Sequence, residues 1–274
     1  MKTGEFEATL LQDGFFTLDP GAYFGIVPRP IWSRFFRETS SGRVKLALNV
    51  MLLRGRDYSA LIDSGIGIPE SEKMRKIYEI EKTSDLVPQI SSIMSPGEIR
   101  FIIHSHLHFD HSGHSLDRNL GKPVFTNAAL VAQDLEFRAY SRPNEFTRSS
   151  YMRNTAQMNR ARKIRLKGTT RFKNDIRVVN TGGHTAGHQV IITGSGSGQV
   201  IYFGDLIPSA FHVKVPYITA IDSFPLDTVR MKKKLIEKAI REKCVCIFNH
   251  DPETPAGIIS GDLQNPRVEK VSLE

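Results

Sequence analysis

The stretch FIIHSHLHFDHSG, residues 101–113, sets four histidines and an aspartate directly behind an apolar run. Imidazole and carboxylate are common ligands of borderline divalent metals. On an extended backbone His106, His108 and Asp110 face one side and His111 the other. A helix would instead align 106 with 110 and send 108 to the far side. An extended loop can therefore present two groups of donors to two adjacent ions. Four donors leave two zinc-like ions under-coordinated, because each usually takes about four ligands.

The missing donors have candidates elsewhere, each at the end of an apolar strand. VVNTGGHTAGH (178–188) supplies His184, VIYFGD (200–205) supplies Asp205, and VCIFNH (245–250) supplies His250. Loops at strand ends are where α/β proteins commonly build their sites. Residues 44–63 read as two apolar strands separated by the turn RGRDYS. Residues 127–140 read as a helix, 127–165 as a helical and loop insertion beside the site, and CVCIFNHDP as the final strand. Alternation of the two element types predicts one α/β domain over residues 1–274.

Composition narrows the class. With 40% hydrophobic and 24% charged residues, the 274-residue chain is ordinary for a soluble globular protein. No stretch approaches the roughly 20 apolar residues of a membrane span. No apolar leader is read in MKTGEFEATLLQDGFF, so the cytoplasm is expected. The only cysteines, Cys244 and Cys246, are too few for a cysteine zinc site and read as buried reduced thiols. The formal charge of +8 is concentrated at 153–173 and 230–243. In the second segment Met231, Leu235, Ile236, Ala239 and Ile240 form one side of an amphipathic helix. Aromatic residues do not interleave with the charges as base-stacking platforms would, which argues against nucleic acid as a partner. The aromatics Phe15, Phe16, Tyr23, Phe24 and Trp32 read as core, with a homodimer surface or pocket lining as the alternatives.

The ordered set LIDSG (61–65), HLHFDH (106–111), GGHTAGH (182–188), GDL (204–206) and FNHD (248–251) resembles the metallo-β-lactamase fold superfamily across nearly the whole chain. Within it, SHLHFDHSG and GGHTAGHQ are most similar to the N-acyl homoserine lactone lactonase and methyl parathion hydrolase branch. The resemblance implies an αββα four-layer sandwich, two mixed sheets flanked by helices, with metals at one edge. It implies His106, His108 and His184 on one ion, Asp110, His111 and His250 on the other, and Asp205 bridging them. Zinc is the default, with manganese, iron and cobalt also suited to such ligands. The implied activity is hydrolysis of an ester or lactone, plausibly an acyl lactone, by a hydroxide shared between the ions and oriented by Asp110. Phosphotriester or phosphodiester hydrolysis is the alternative chemistry, and a metal-containing small-molecule sensor is the non-enzymatic one.

Further residues are expected around this centre. Asp63 and His188 would support ligands through hydrogen bonds, and His104 and His114 are read the same way. Lactonases of this branch commonly carry a substrate-positioning tyrosine three residues after the bridging aspartate, where this chain has Pro208. His212, Tyr217, Tyr140 and Tyr151 are the candidates to replace it.

Overall fold

The computed structural model describes residues 1–67, 71–82, 85–116, 125–151, 155–173 and 175–273. Its core is a pair of seven-stranded mixed sheets. The first runs in chain order through β1 (Lys2–Thr3), β2 (Phe6–Leu18), β3 (Val44–Gly55), β4 (Ser59–Ile62), β5 (Ile99–Ile103), β6 (Ala129–Gln133) and β7 (Lys163–Leu166). β1 to β4 pair antiparallel, and β4 to β7 pair parallel. Parallel neighbours need long crossovers, and three of those in the first sheet carry helices. The second sheet is β8 (Thr170–Lys173), β9 (Ile176–Asn180), β10 (Gln189–Thr193), β11 (Val200–Tyr202), β12 (Val245–Ile247), β13 (Ala256–Ser260) and β14 (Arg267–Lys270). Only β11 and β12 pair parallel there, joined through the helix Pro225–Glu242.

The period-2 alternation of strand side chains divides the apolar residues among layers. Met51, Ile62, Ile103 and Val131 of the first sheet meet Val178, Ile191, Tyr202 and Ile247 of the second. The outward residues Val50, Leu61, Ile102 and Leu130 pack with Leu86, Ile90 and Phe137 from helices. On the opposite side Ile201, Phe203, Cys246 and Phe248 meet Met231, Leu235, Ile236 and Ala239 of Pro225–Glu242. Each large side chain so buried stabilises by roughly 1.5–3 kcal/mol. The result is the expected helix–sheet–sheet–helix order. Cys244 and Cys246 are both buried and free, and both lie in that outer cluster.

Three expectations are corrected. Residues 127–140 are not one helix, because Ala129–Gln133 is strand β6 and the helix is Asp134–Ser141. Val131 faces the inner core while Leu130 and Ala132 face the outer one. A strand buried on both faces gives an unbroken apolar run that periodicity alone reads as helix. The segment 127–165 accordingly opens and closes with strands of the first sheet, β6 and β7. CVCIFNHDP is not the final strand either, since β13 and β14 follow it. The N-terminal aromatics form a distinct cluster, with Phe16, Tyr23, Phe24 and Trp32 buried and Phe15 half-buried.

This topology brings the donors together. β9 is antiparallel to β10, which is antiparallel to β11, and β11 is parallel to β12. Strands β9, β11 and β12 therefore point the same way, and His184, Asp205 and His250 all leave their C-terminal ends. The backbone N–H of Gln189 donates to Ser105 O (2.8 Å) and that of Asn49 to Asn249 O (2.8 Å), tying the first sheet to this edge of the second.

Candidate metal centre

Strand β5 ends at Ile103, and the chain stays extended only through His108. It then makes the one-turn helix Phe109–Ser112, which carries Asp110 and His111. His106 and His108 thus fall in one donor group, while the helical turn aims Asp110 and His111. Asp63, the first residue after β4, sits at φ +56°, a conformation rare for residues with a side chain. Its carboxylate accepts from Ser105 N–H (2.7 Å), Ser105 Oγ–H (2.7 Å) and His111 Nδ1–H (2.7 Å). Three buried donors on one anion hold that turn in place.

Seven side chains converge in two groups. In the first, His184 Nε2 is 3.1 Å from His108 Nδ1 and 3.3 Å from Asp205 Oδ2, which is 3.9 Å from His106 Nε2. In the second, Asp205 Oδ1 is 3.2 Å from His111 Nε2 and 3.3 Å from His250 Nε2. Asp110 Oδ2 lies 3.3 Å from His250 Nε2 and 3.7 Å from His111 Nε2. One oxygen of Asp205 thus faces each group. Ligands about 2.0–2.1 Å from a tetrahedral zinc stand about 3.3 Å apart, close to most of these separations.

The outward nitrogens explain why the inner ones are available. His184 Nδ1–H donates to Asp222 (2.8 Å), His250 Nδ1–H to the Ala47 carbonyl (2.8 Å), and His106 Nδ1–H to Ser105 Oγ (3.1 Å). Each such bond fixes a tautomer with a lone pair on Nε2. His106 Nε2 and His111 Nε2 are buried with no hydrogen-bond partner among the described residues. Buried polar atoms without partners are unfavourable, and a cation in each group would satisfy them. The donors present therefore fit two divalent ions.

Electrostatics separate the groups. Burial and the neighbouring imidazoles hold His106 and His108 well below the usual histidine pKa. Burial also opposes charging of His111 and His250, but Asp205 and Asp110 outweigh it, raising His111 strongly and His250 to about 9. Asp205 stays well below the carboxylate range because His111, His250 and His184 outweigh its burial.

The other expected residues are placed variously. His188 is buried with Nδ1 2.6 Å from Thr181 Oγ1, and burial and His184 push its pKa to about 3. Gly204, at φ +53°, leaves room for it: a Cβ there would stand 2.8 Å from His188 Nε2. His104 meets Ser115 Oγ (3.0 Å), and His114 meets the buried Asp13 carboxylate (2.8 Å). Of the pocket candidates, Tyr151 sets its ring edge-on to His108 at 4.9 Å, but its hydroxyl donates to Glu136 (2.9 Å). Tyr140 is buried in the outer core against Tyr151. His212 bonds through Nε2 to Tyr23 O (3.0 Å) and through Nδ1 to Ser209 Oγ (2.7 Å), so both ring nitrogens are engaged. Tyr217 lines a groove of about 920 Å³ with Phe15, Phe35 and Phe211, whose wall contains none of the seven donors. Pro208 accepts the His250 N–H at its carbonyl (2.9 Å).

Sequence reasoning missed Ser105, Glu136, Asp222 and Asn249, whose side-chain amide donates to Asp205 Oδ1 (2.8 Å). It also missed Tyr78. That ring packs on Phe109 at 4.7 Å and lines a cavity of about 220 Å³ with Met74, Ile77 and Tyr151.

Comparison with known proteins agrees with this geometry. Residues 44–241 match the family described as the metallo-beta-lactamase superfamily. An N-acyl homoserine lactonase from Bacillus sp is 26% identical over 247 residues, which cover 88% of each chain. A probable metal-dependent hydrolase from Staphylococcus aureus superposes with a TM-score of 0.89 at 26% identity, over 99% of both chains. AidC, a dizinc quorum-quenching lactonase solved with a product, shares the fold with a TM-score of 0.79 at 21% identity, over 99% of this chain and 96% of its own. With the family match spanning well over half its length, this chain belongs to the metallo-beta-lactamase superfamily.

Proposed function

We propose that this chain is a two-metal hydrolase that opens lactones, with N-acyl homoserine lactones as its substrate class. The observation that carries the reading is the division of seven donors into two groups with one oxygen of Asp205 facing each. The named activity of its relatives supports the choice of substrate. His106, His108 and His184 would hold one ion, Asp110, His111 and His250 the other, and Asp205 both. Two divalent ions, zinc first, supply Lewis acidity toward the carbonyl and bring the pKa of water near 7 when bound.

The chain's own groups do the rest. Asp110 is the one partly exposed member of the seven, and His111 and His250 keep its carboxylate ionised despite burial. It is the group able to take a proton from the attacking water and return it to the ring oxygen that leaves. Phe109, Tyr78, Met74 and Ile77 offer an apolar wall beside it for an acyl chain. Cytoplasmic residence belongs to the same proposal. Two buried free thiols support it, and among the described residues no helix is long and apolar enough to cross a membrane.

The test is metal content together with turnover of an acyl homoserine lactone, an aryl ester and a phosphotriester, with His108→Ala as control. About two ions per chain and lactone opening abolished by the substitution are expected. Phosphotriester turnover alone would move the substrate class, and no turnover with less than one ion per chain would overturn the reading.

A further inference from the structure

Glu136 lies in the first turn of the helix Asp134–Ser141 and is completely buried. A carboxylate in that position is stable only if hydrogen bonds replace its lost water. Its Oε1 accepts from the Leu107 backbone N–H (3.0 Å) and the Tyr151 hydroxyl (2.9 Å), and its Oε2 accepts from the Thr185 hydroxyl (2.6 Å). Among the described residues it forms no ion pair. Leu107 stands between His106 and His108, Thr185 follows His184, and the Tyr151 ring rests against His108. All three donors therefore belong to segments that carry or touch the first donor group, and none belongs to the second.

The packing leaves these segments little freedom. Gly187, three residues past His184, lies so close to the start of the helix that a Cβ on it would stand 2.5 Å from Glu136 N. The loop from β9 to β10 thus seats directly on the residue whose carboxylate grips it. Glu136 touches none of the supports behind the second group, which are Asp63 under His111 (also reaching His106 through Ser105) and the Ala47 carbonyl under His250.

We propose that Glu136 is a positioning residue that sets the spacing between the 106–108 loop and the 184–187 loop, and so tunes metal affinity in the first group alone. The inference rests on the two-metal reading above. Removing an outer partner of a metal ligand typically weakens binding about 10–100-fold.

The experiment titrates metal-free protein with Zn²⁺ and Co²⁺ against a competing chelator, comparing wild type, Glu136→Gln, Thr185→Val and Thr185→Ser. His184→Ala marks which binding step belongs to the first group. In Glu136→Gln that step should weaken about 10–100-fold, with a changed Co²⁺ absorption band and the other step unmoved. Thr185→Val should show a smaller loss of the same kind, and Thr185→Ser should restore it, because only the hydroxyl is needed. Equal weakening of both steps in the Thr185→Val protein would reduce Glu136 to general structural support and overturn the proposal. Two ions in wild type with unchanged stepwise affinities in both Glu136→Gln and Thr185→Val would overturn it while sparing the two-metal reading. Wild type that takes up no ion would overturn both.

Discussion

The two donor groups share Asp205 and, behind His106 and His111, the Asp63–Ser105 pair, but their other supports differ. The first is three imidazoles, its loops held by Glu136 and its His184 by Asp222. The second is two imidazoles facing two carboxylates, with Asp63 beneath His111 and a main-chain carbonyl beneath His250. The charge follows the composition. Burial and mutual repulsion keep His106 and His108 neutral, whereas carboxylates favour the protonated form of His111 and His250 despite burial. In the first group only His184, held between Asp205 and Asp222, is raised, whereas in the second both imidazoles are. The lesson is that equal donor counts need not give equal sites, because the partners behind the donors set charge and rigidity.

Breaking the shared member should have the largest effect. Asp205→Ala removes an oxygen from both groups and leaves five buried imidazoles facing a single carboxylate. Metal content should fall from about two ions per chain to below one, and lactone opening should drop on the order of 10³-fold or more. Elemental analysis after reconstitution checks this. Retention of one tightly held ion would mean that Asp205 serves a single group, and the comparison would lose its hinge.

Asp63→Asn probes the second group directly through His111, and reaches His106 of the first only through Ser105. Asparagine keeps the size but replaces one acceptor oxygen with a donor, so a bond to Ser105 or His111 is lost in a fully buried turn. Affinity for one ion should weaken about 10–100-fold. The metal-free fold should lose roughly 2–3 kcal/mol in urea unfolding, since the stranded partner stays desolvated. Asp222→Asn is the counterpart in the first group. Asp222 accepts from His184 and from Thr219 Oγ1 (2.9 Å) at one oxygen, while its other oxygen has no hydrogen-bond partner among the described residues. An amide can keep the bonded oxygen, so the loss should be nearer 10-fold and confined to the other ion. If Asp63→Asn weakens only the step that Asp222→Asn weakens, the division into two differently supported groups is wrong.

The difference between donors and supports also marks what could be read in the chain. The seven donors were legible because histidines and aspartates recur at strand ends, and an apolar strand ending in such a residue is a local pattern. The α/β class followed from the alternation of apolar runs with helical spacing and the two mixed sheets from the family resemblance, while at β6 burial on both faces erased the period-2 signal. The supports were not legible, because their meaning lies in distance rather than spacing. Glu136 in a first helical turn looks like an ordinary favourable charge near a helix N-terminus. Asp222 lies 38 residues from the histidine it orients. The four pocket candidates were chosen for residue type alone, and the structure engages both nitrogens of His212 and the hydroxyl of Tyr151 elsewhere.

The smallest expected effect reaches the first group through a relay. Lys232, on the helix Pro225–Glu242, is fully buried and donates to the carbonyls of Lys214 (2.9 Å) and Tyr217. Those carbonyls lie on the loop that continues to Asp222 and thus to His184. A neutral amine has two N–H groups for two carbonyls, and a buried ammonium would lack a counter-ion in contact. Burial pushes the Lys232 pKa down to about 7, with Asp222 pulling weakly upward and His212 the other titratable side chain whose field it shares. The unfolded chain holds this proton up to about pH 10.5, so between about 7 and 10.5 it binds more protons than the folded chain. Stability should then rise with pH across that window by up to about 1.4 kcal/mol per unit, and the gain should be gone below pH 7. Lys232→Met removes the titration and should flatten the dependence measured by urea unfolding at pH 7, 8 and 9. Through the loop it should also weaken metal binding in the first group a few-fold, roughly 1 kcal/mol or less, and leave the second group unchanged. Parallel stability curves for wild type and variant would show that Lys232 keeps its proton in the folded chain, and equal affinity changes in both groups would break the relay to Asp222.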